Sequence, residues 1–284
     1  LEAVFLPNRG MLGVSLRLRG TELLRRLENL DAAAAKGSTA GIPLLYPWAN
    51  RLAVPRFRVA GRDVALDPSS PLLHCDDRGL LIHGVKWALL AWEIIEAKPD
   101  RLAARLVWTD AKLLAVFPFR HKVELTATLR PDSLTIETTI LAQDLLPVSF
   151  GFHPYFGISS LPRDKWRLEL PAMRKLVLDD RGIPTGRDES FGRFDSPLGD
   201  LNLDAGFTVL DEHSAFSLSG DGHRITLEFL ENYLYAQVFA PKGKDFVALE
   251  PMTAPTSALT NGQGLRLVEP GRGFRAAFCI RVQA

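Results

Sequence analysis

Cysteine is scarce: Cys75 and Cys279 are the only two in 284 residues, and they lie far apart in the sequence. Two such residues cannot form a disulfide framework or a cysteine-based zinc cluster. An excess of one charge is also missing, with 34 Lys and Arg against 33 Asp and Glu, for a formal net charge of +1. No basic stripe or block of like charge marks a nucleic-acid or anionic-membrane partner. No apolar run approaches the ~20 residues of a membrane-spanning helix. The stretch after Leu1 lacks the basic-apolar-small pattern of a leader, so the cytoplasm is the expected location. His74, Cys75 and His83 lack the paired spacings of a zinc site, and Pro241-Lys-Gly-Lys244 lacks the spacing of a phosphate loop. No metal and no cofactor are expected.

Hydrophobic residues make up 46 % of the chain and charged residues 24 %, which is the balance of an ordinary globular protein. A chain of this length buries roughly 75 % of its unfolded surface, so its core needs no staples. The dominant period is two. Val14, Leu16 and Leu18 alternate with Ser15, Arg17 and Arg19. Val123 to Leu129 alternates in the same way, Arg130-Pro131-Asp132-Ser133 supplies a turn, and Leu134 to Ile140 resumes the pattern, which predicts a hairpin. Ile225–Phe229 and Ala276–Val282 read as two more half-buried strands.

Helical signals are few: Thr21 to Lys36 reads as a short helix or a compact loop. Leu178 to Phe207 is the least periodic region and is expected to be surface loop. Regular βαβ alternation is missing, which argues against a doubly wound parallel sheet. The fold class expected is all-β, one large antiparallel β-sandwich with few short helices, forming a single domain over residues 1–284.

Four islands interrupt the strand background. They are Gly41-Ile-Pro-Leu-Leu-Tyr-Pro-Trp-Ala-Asn-Arg51, Leu81-Ile-His83-Gly84, Phe150-Gly-Phe-His153-Pro-Tyr-Phe156, and Val247-Ala-Leu-Glu250-Pro-Met-Thr-Ala-Pro-Thr-Ser257. His153 and Glu250 each precede a proline, and such a residue is held extended and out of the helical region. A histidine and a carboxylate on stiff backbone among apolar neighbours are a candidate general acid and general base.

The four islands, in this order, resemble the aldose 1-epimerase (galactose mutarotase) family, whose members carry Pro-Trp/Tyr-Ala-Asn-Arg, His-Gly, His-x-Tyr-Phe and a late-strand glutamate. The resemblance implies a galactose mutarotase-like supersandwich with an open carbohydrate cleft. It implies that His153 is the catalytic acid and Glu250 the catalytic base, interconverting the α and β anomers of an aldohexose. Arg51 and His83 then match residues that contact the sugar, and Asp204 resembles a hydroxyl-binding aspartate. Ser257 stands where asparagine is expected, and Gly157 where a larger or polar residue is common, which bears on substrate preference. The implied partner is a small sugar, either an aldohexose or a phosphorylated aldohexose, with no nucleic acid and no membrane, bound by a monomer or homodimer.

Each candidate has a plainer reading. A histidine in an apolar run is commonly a satisfied core residue, Glu250 could form a buried ion pair, and Arg51 could clamp its own loop. Asp204 could be a turn residue. Gln237, on a strand, could face cleft or solvent, and Trp48 and Trp87 could form a stacking wall or belong to the core. A phosphorylated substrate would need cations at the cleft, with Arg56, Arg58, Arg78 and Lys86 as candidates. A non-catalytic sugar-binding module and a glycoside hydrolase are the alternatives from other classes; the latter would pair two carboxylates instead of a histidine with a carboxylate.

Overall fold

The computed structural model describes residues 1–209 and 214–284. Among these, two large antiparallel sheets carry the fold. The nine-stranded sheet runs in the order Phe194–Pro197, Arg167–Leu170, Ala215–Gly220, His223–Glu231, Gly273–Gln283, Ser133–Ala142, His121–Leu129, Arg101–Trp108, Glu93–Lys98. The second sheet runs Pro184–Phe191, Met173–Leu178, Leu203–Thr208, Tyr235–Ala240, Val247–Met252, Gly151–Phe152, Leu44–Leu45, with Tyr155–Phe156 also paired to Val247–Met252.

The predicted hairpin forms with Leu134 opposite Leu129 and Ile140 opposite Val123. Its alternating Val123, Leu125, Ile136 and Ile140 enter one continuous core with Phe278 and Ile280, and with Val238 and Leu249 from the other sheet. Phe152 and Phe278 bridge the two sheets with ring centroids 5.1 Å apart. The fold is therefore the all-β antiparallel sandwich expected, with few short helices.

Two expectations need correction. Thr21–Lys36 is helical only over Leu30–Lys36, where Asn29 caps the first turn and accepts from the Ala32 N–H; Thr21–Glu22 instead pairs with Arg17 and Leu18. Leu178–Phe207 is largely strand, not loop. Pro184–Phe191 and Phe194–Pro197 are edge strands, and Leu203–Thr208 lies inside the second sheet. Most of the Pro184–Phe191 side chains are exposed on both faces, so the strand never acquires the apolar alternation that would have revealed it.

Strand alternation also builds the site. In Val247–Met252, Val247 and Leu249 join the core, while Ala248 and Met252 belong to separate small clusters on the outer face, where Glu250 also points. Ala236 and Val238 face the core, which turns Gln237 and Phe239 outward; Ala205 and Phe207 do the same for Asp204 and Gly206. Register then sets Gly206, Gln237 and Glu250 side by side across three strands. A β-carbon on Gly206 would sit 3.1 Å from Gln237 Oε1, so glycine leaves room for that side chain to lie across it.

Candidate functional site

Gly151 pairs with Met252 and Tyr155 pairs with Ala248, so the position opposite Glu250 is His153. The register is kept through Pro154, whose carbonyl accepts from the Leu249 N–H, while the His153 N–H donates to Pro43. A sequence gap of many strands is closed by one cross-strand pair, whose β-carbons normally lie about 4.5–5.5 Å apart.

The two side chains meet, with His153 Nε2 3.1 Å from Glu250 Oε1. Both are buried, at 5 % and 1 % exposure. Burial pushes the His153 imidazole down to about 3. Burial also pushes the Glu250 carboxyl well up, with Asp204 adding to the effect and Arg51 opposing it. In the empty pocket the contact is therefore a neutral one, carboxylic acid donating to imidazole, and not an ion pair. His153 Nδ1 and Glu250 Oε2 are buried with no hydrogen-bond partner. Buried polar atoms are nearly always partnered, so these two mark where a ligand would bond.

His83 stands beside the pair, its ring centroid 5.6 Å from that of His153. Its Nδ1 accepts from the Asn50 N–H, which assigns the proton of the neutral ring to Nε2 and makes that atom a donor. Burial, His153, His74 and Arg51 together hold it well below the ordinary histidine range, so it stays neutral. His83 has φ +61° and is followed by Gly84, where a β-carbon would lie 2.1 Å from the Tyr46 carbonyl oxygen. Only glycine permits that approach.

Arg51 donates from Nε to Asp76 Oδ2 at 2.6 Å. Burial works to raise the Asp76 carboxyl, but the Arg51 bond and the N–H groups of Leu80 and Arg78 outweigh it and hold the group ionised. The clamp reading of Arg51 is thus partly right: Nη1 also donates to Asn50 Oδ1 at 3.4 Å, and the residue still lines the pocket. Gln237 Nε2 donates to Asp204 Oδ1 at 2.5 Å, which fixes both at the pocket wall.

All six candidates, His153, Glu250, Arg51, His83, Asp204 and Gln237, line one cavity of about 190 Å³, together with Asn50, Ile82, Tyr155 and Phe239. At about 30 Å³ per water that is roughly six waters, the scale of a single sugar ring and below the ~300 Å³ of a drug-sized pocket. A larger groove of about 970 Å³ opens on the far side of Tyr155, lined by Arg25, Ser38 and Gly157 among others, and holds none of the six.

Trp48 and Trp87 are buried in the body of the protein and do not line the pocket; its aromatic wall is Tyr155 and Phe239. Sequence reasoning missed Phe239, although it lies two residues beyond Gln237 on the same strand face. It also missed Asn50 and Asp76, whose roles depend on contacts that only the folded loops create.

The proposed phosphate-binding cations scatter. Arg56 and Arg58 belong to an exposed hairpin where Arg58 pairs with Asp63, and Lys86 donates to the Ala35 carbonyl. Arg78 donates to the Asp180 carbonyl beside Gly182, where the nearest Arg51 nitrogen also lies. None of the four lines the cavity. Among the described residues no cluster of three His, Cys, Asp or Glu side chains could hold a metal ion, and no helix is long and apolar enough to cross a membrane.

The profile of the aldose 1-epimerase family matches residues 6–280. An uncharacterised protein of Escherichia coli K12, YihR, is 24 % identical over 253 residues, covering 84 % of this chain and 77 % of that one. The Slr1438 protein of Synechocystis superposes with a TM-score of 0.80 at 27 % identity, over 99 % of this chain and 91 % of that one. A galactose mutarotase-like protein of Clostridium acetobutylicum shares the fold, with a TM-score of 0.80 at 18 % identity, over 99 % and 92 % of the two chains.

Proposed function

Since the chain belongs to the aldose 1-epimerase family, we propose that it is a mutarotase that interconverts the α and β anomers of a free aldohexose, residues 1–284 acting as one unit. The observation that carries this reading is the His153–Glu250 pair, 3.1 Å apart, with one unpartnered atom on each side chain in a sugar-sized pocket.

The chemistry needs one base and one acid. The O1 hydroxyl loses a proton while the ring oxygen gains one, the C1–O5 bond breaks, and the open aldehyde rotates about C1–C2 before closing on the other face. The empty pair holds its shared proton on Glu250. A sugar supplies hydroxyl partners to Glu250 Oε2 and His153 Nδ1, which offsets the burial that disfavours charge on both groups. The shared proton can then move to Nε2, leaving a carboxylate to take the O1 proton and an imidazolium to protonate the ring oxygen. Reclosure runs both transfers backward and restores the pair. His83 Nε2–H, the Arg51 guanidinium, Asn50, Asp204 and Gln237 would hold the ring hydroxyls, and Phe239 would cover an apolar face of the sugar.

The wall favours an unphosphorylated sugar. Among the described residues its single permanent cation, Arg51, is already paired with Asp76, which leaves little positive charge for a phosphate. Polarimetry or NMR on freshly dissolved α-galactose, α-glucose and glucose 6-phosphate tests the reading, with Glu250→Gln and His153→Asn as controls. Acceleration of a free hexose that both substitutions abolish is expected. A wild type no faster than buffer on all three sugars would refute the function, and preference for glucose 6-phosphate would refute the substrate class.

A further inference from the structure

A general acid must be held in one orientation, and a histidine is ordinarily held by a hydrogen bond from the ring nitrogen it does not use in the reaction. In His153 one contact holds the ring, Nε2 to Glu250. Nδ1, the atom proposed to meet the sugar, is buried without a partner, so hydrogen bonds alone leave the ring free to tilt about that contact. Something else must stop the ring from turning.

Among the described residues the only ring stacked parallel to it is that of Tyr155. The His153 and Tyr155 rings stack with centroids 4.2 Å apart and planes 10° from parallel. The Tyr155 oxygen lies 3.2 Å from His153 Nε2. The tyrosine therefore meets the imidazole both through its stacked ring and through its hydroxyl, which is within hydrogen-bond distance of the nitrogen that also faces Glu250. His83 and Phe239 meet the same imidazole nearly at right angles, at 82° and 83°. The ring is boxed on one face and two edges.

Tyr155 is itself anchored. Its hydroxyl is hydrogen-bonded to Thr39 Oγ1 at 2.6 Å, on the segment that follows the Leu30–Lys36 helix. Phe246 packs edge-on against the tyrosine ring at 5.2 Å, and the Arg25 guanidinium lies 5.8 Å from its centroid. Both side chains are therefore fixed from outside the sugar pocket.

We infer that Tyr155 is a positioning residue for His153, its stacked ring replacing the absent bond to Nδ1, and that Thr39, far away in sequence, sets the position of that ring. The inference rests on the acid role given to His153 above. Its physical content is narrower: the imidazole orientation is controlled by the Thr39–Tyr155 contact.

The test uses the whole protein labelled with ¹⁵N-histidine at pH 7.5, the His153 ring signals being assigned by their loss in His153→Asn. Wild type and Thr39→Ser are expected to give the shifts of one fixed tautomer. Thr39→Val and Tyr155→Phe should shift them partly toward averaged values, and Tyr155→Leu fully. In kinetics, misplacement by about 1 Å can cost on the order of 100-fold. Tyr155→Leu should therefore lose roughly 10- to 100-fold in kcat with KM within about twofold, and Thr39→Val and Tyr155→Phe a smaller, similar factor. Because those two break one contact, the double variant should be no worse than either alone.

Ring shifts unmoved in Tyr155→Phe and Thr39→Val, or losses that multiply in the double variant, would overturn the inference. These two near-isosteric changes keep the test open if Tyr155→Leu does not fold. A wild type without mutarotase activity defeats the proposed function but leaves the ring-shift result to decide the positioning role.

Discussion

Two buried histidines, His121 and His153, make an instructive pair. His121 is fully buried, with Nε2 2.5 Å from Tyr46 Oη, Nδ1 2.6 Å from the Phe119 carbonyl oxygen, and its ring stacked on Trp108 at 5.5 Å. Every polar atom of that imidazole is used by the protein. His153 is almost as deeply buried and equally well stacked, yet Nδ1 is unused, and the carboxylate it touches has an unused oxygen of its own. Burial pushes both rings down, to about 4 and about 3. Burial and a displaced pKa therefore do not separate His121 from His153, the residue given the acid role above. Unspent hydrogen-bonding capacity beside a second such group does.

The sharpest way to break the contrast is to remove each partner. Glu250→Gln and His153→Asn should each cost about 10²–10⁴ in mutarotation rate. The double variant should be little worse, because the two act as one unit. His121→Leu should leave kcat within about twofold of wild type. A large activity loss there, with the fold intact by circular dichroism, would collapse the distinction.

Arg51 is the next test. Asp76→Asn removes the charge that aims Arg51, and a hydrogen bond to a charged group contributes about 1.5–3 kcal/mol. The expected result is a roughly 10- to 100-fold fall in kcat/KM. Unchanged kinetics would make Arg51 the loop clamp of its plainer reading.

The pH dependence of activity follows from the pair as a unit. The working form carries two protons, counting one on the imidazole nitrogen or the carboxyl and one that remains on the ring. A third proton has to enter a histidine whose affinity burial has lowered, so activity falls on the acid side below the ordinary histidine range. The loss of a proton empties a carboxyl whose affinity burial has raised, so the alkaline fall lies above the ordinary carboxylate range. Beyond each limb, kcat/KM should drop about tenfold per pH unit. A rate that simply climbs with pH in parallel with the buffer would contradict the assignment.

The smallest effects belong to stability. His121→Leu leaves the Tyr46 hydroxyl buried without its partner, at a cost of about 1–3 kcal/mol. The wild-type His121 pKa is depressed in the folded state, so the unfolded chain binds more protons between about 4 and 6.5. The His121 contribution is fully present above pH 6.5 and is lost as pH falls toward 4, by roughly 3 kcal/mol in all. Melting temperatures measured over that window should fall more steeply for wild type than for His121→Leu. Equal slopes would show that another group carries the acid sensitivity.

The sequence made the sandwich legible wherever one strand face was buried, as in Val123–Leu129 and Leu134–Ile140. Pro184–Phe191 escaped notice because its position at a sheet edge exposes both faces. His153 and Glu250 were legible through their prolines and through the family pattern. Their exact opposition was not, since it arises from the register of two strands remote in sequence. Gln237 was ambiguous until its neighbours Ala236 and Val238 were seen in the core. His121, followed by Lys122 at the head of an alternating strand, carries no sequence mark of its deep burial or of the bonds that use both its nitrogens. Asp76 went unnoticed because its role exists only in the folded loop, where Oδ1 accepts from Arg78 and Leu80 while Oδ2 holds Arg51.

The two unspent atoms also bear on how the chain survives when no sugar is present. Glu250 Oε2 and His153 Nδ1 are each desolvated without compensation, so the empty fold is less stable than it would be with an inert pair. Whatever molecule supplies their missing bonds binds the folded chain and not the unfolded one. At about a hundred times its Kd it would add about 2.7 kcal/mol to folding. Ligand supply would then set the lifetime of the fold against heat and proteases.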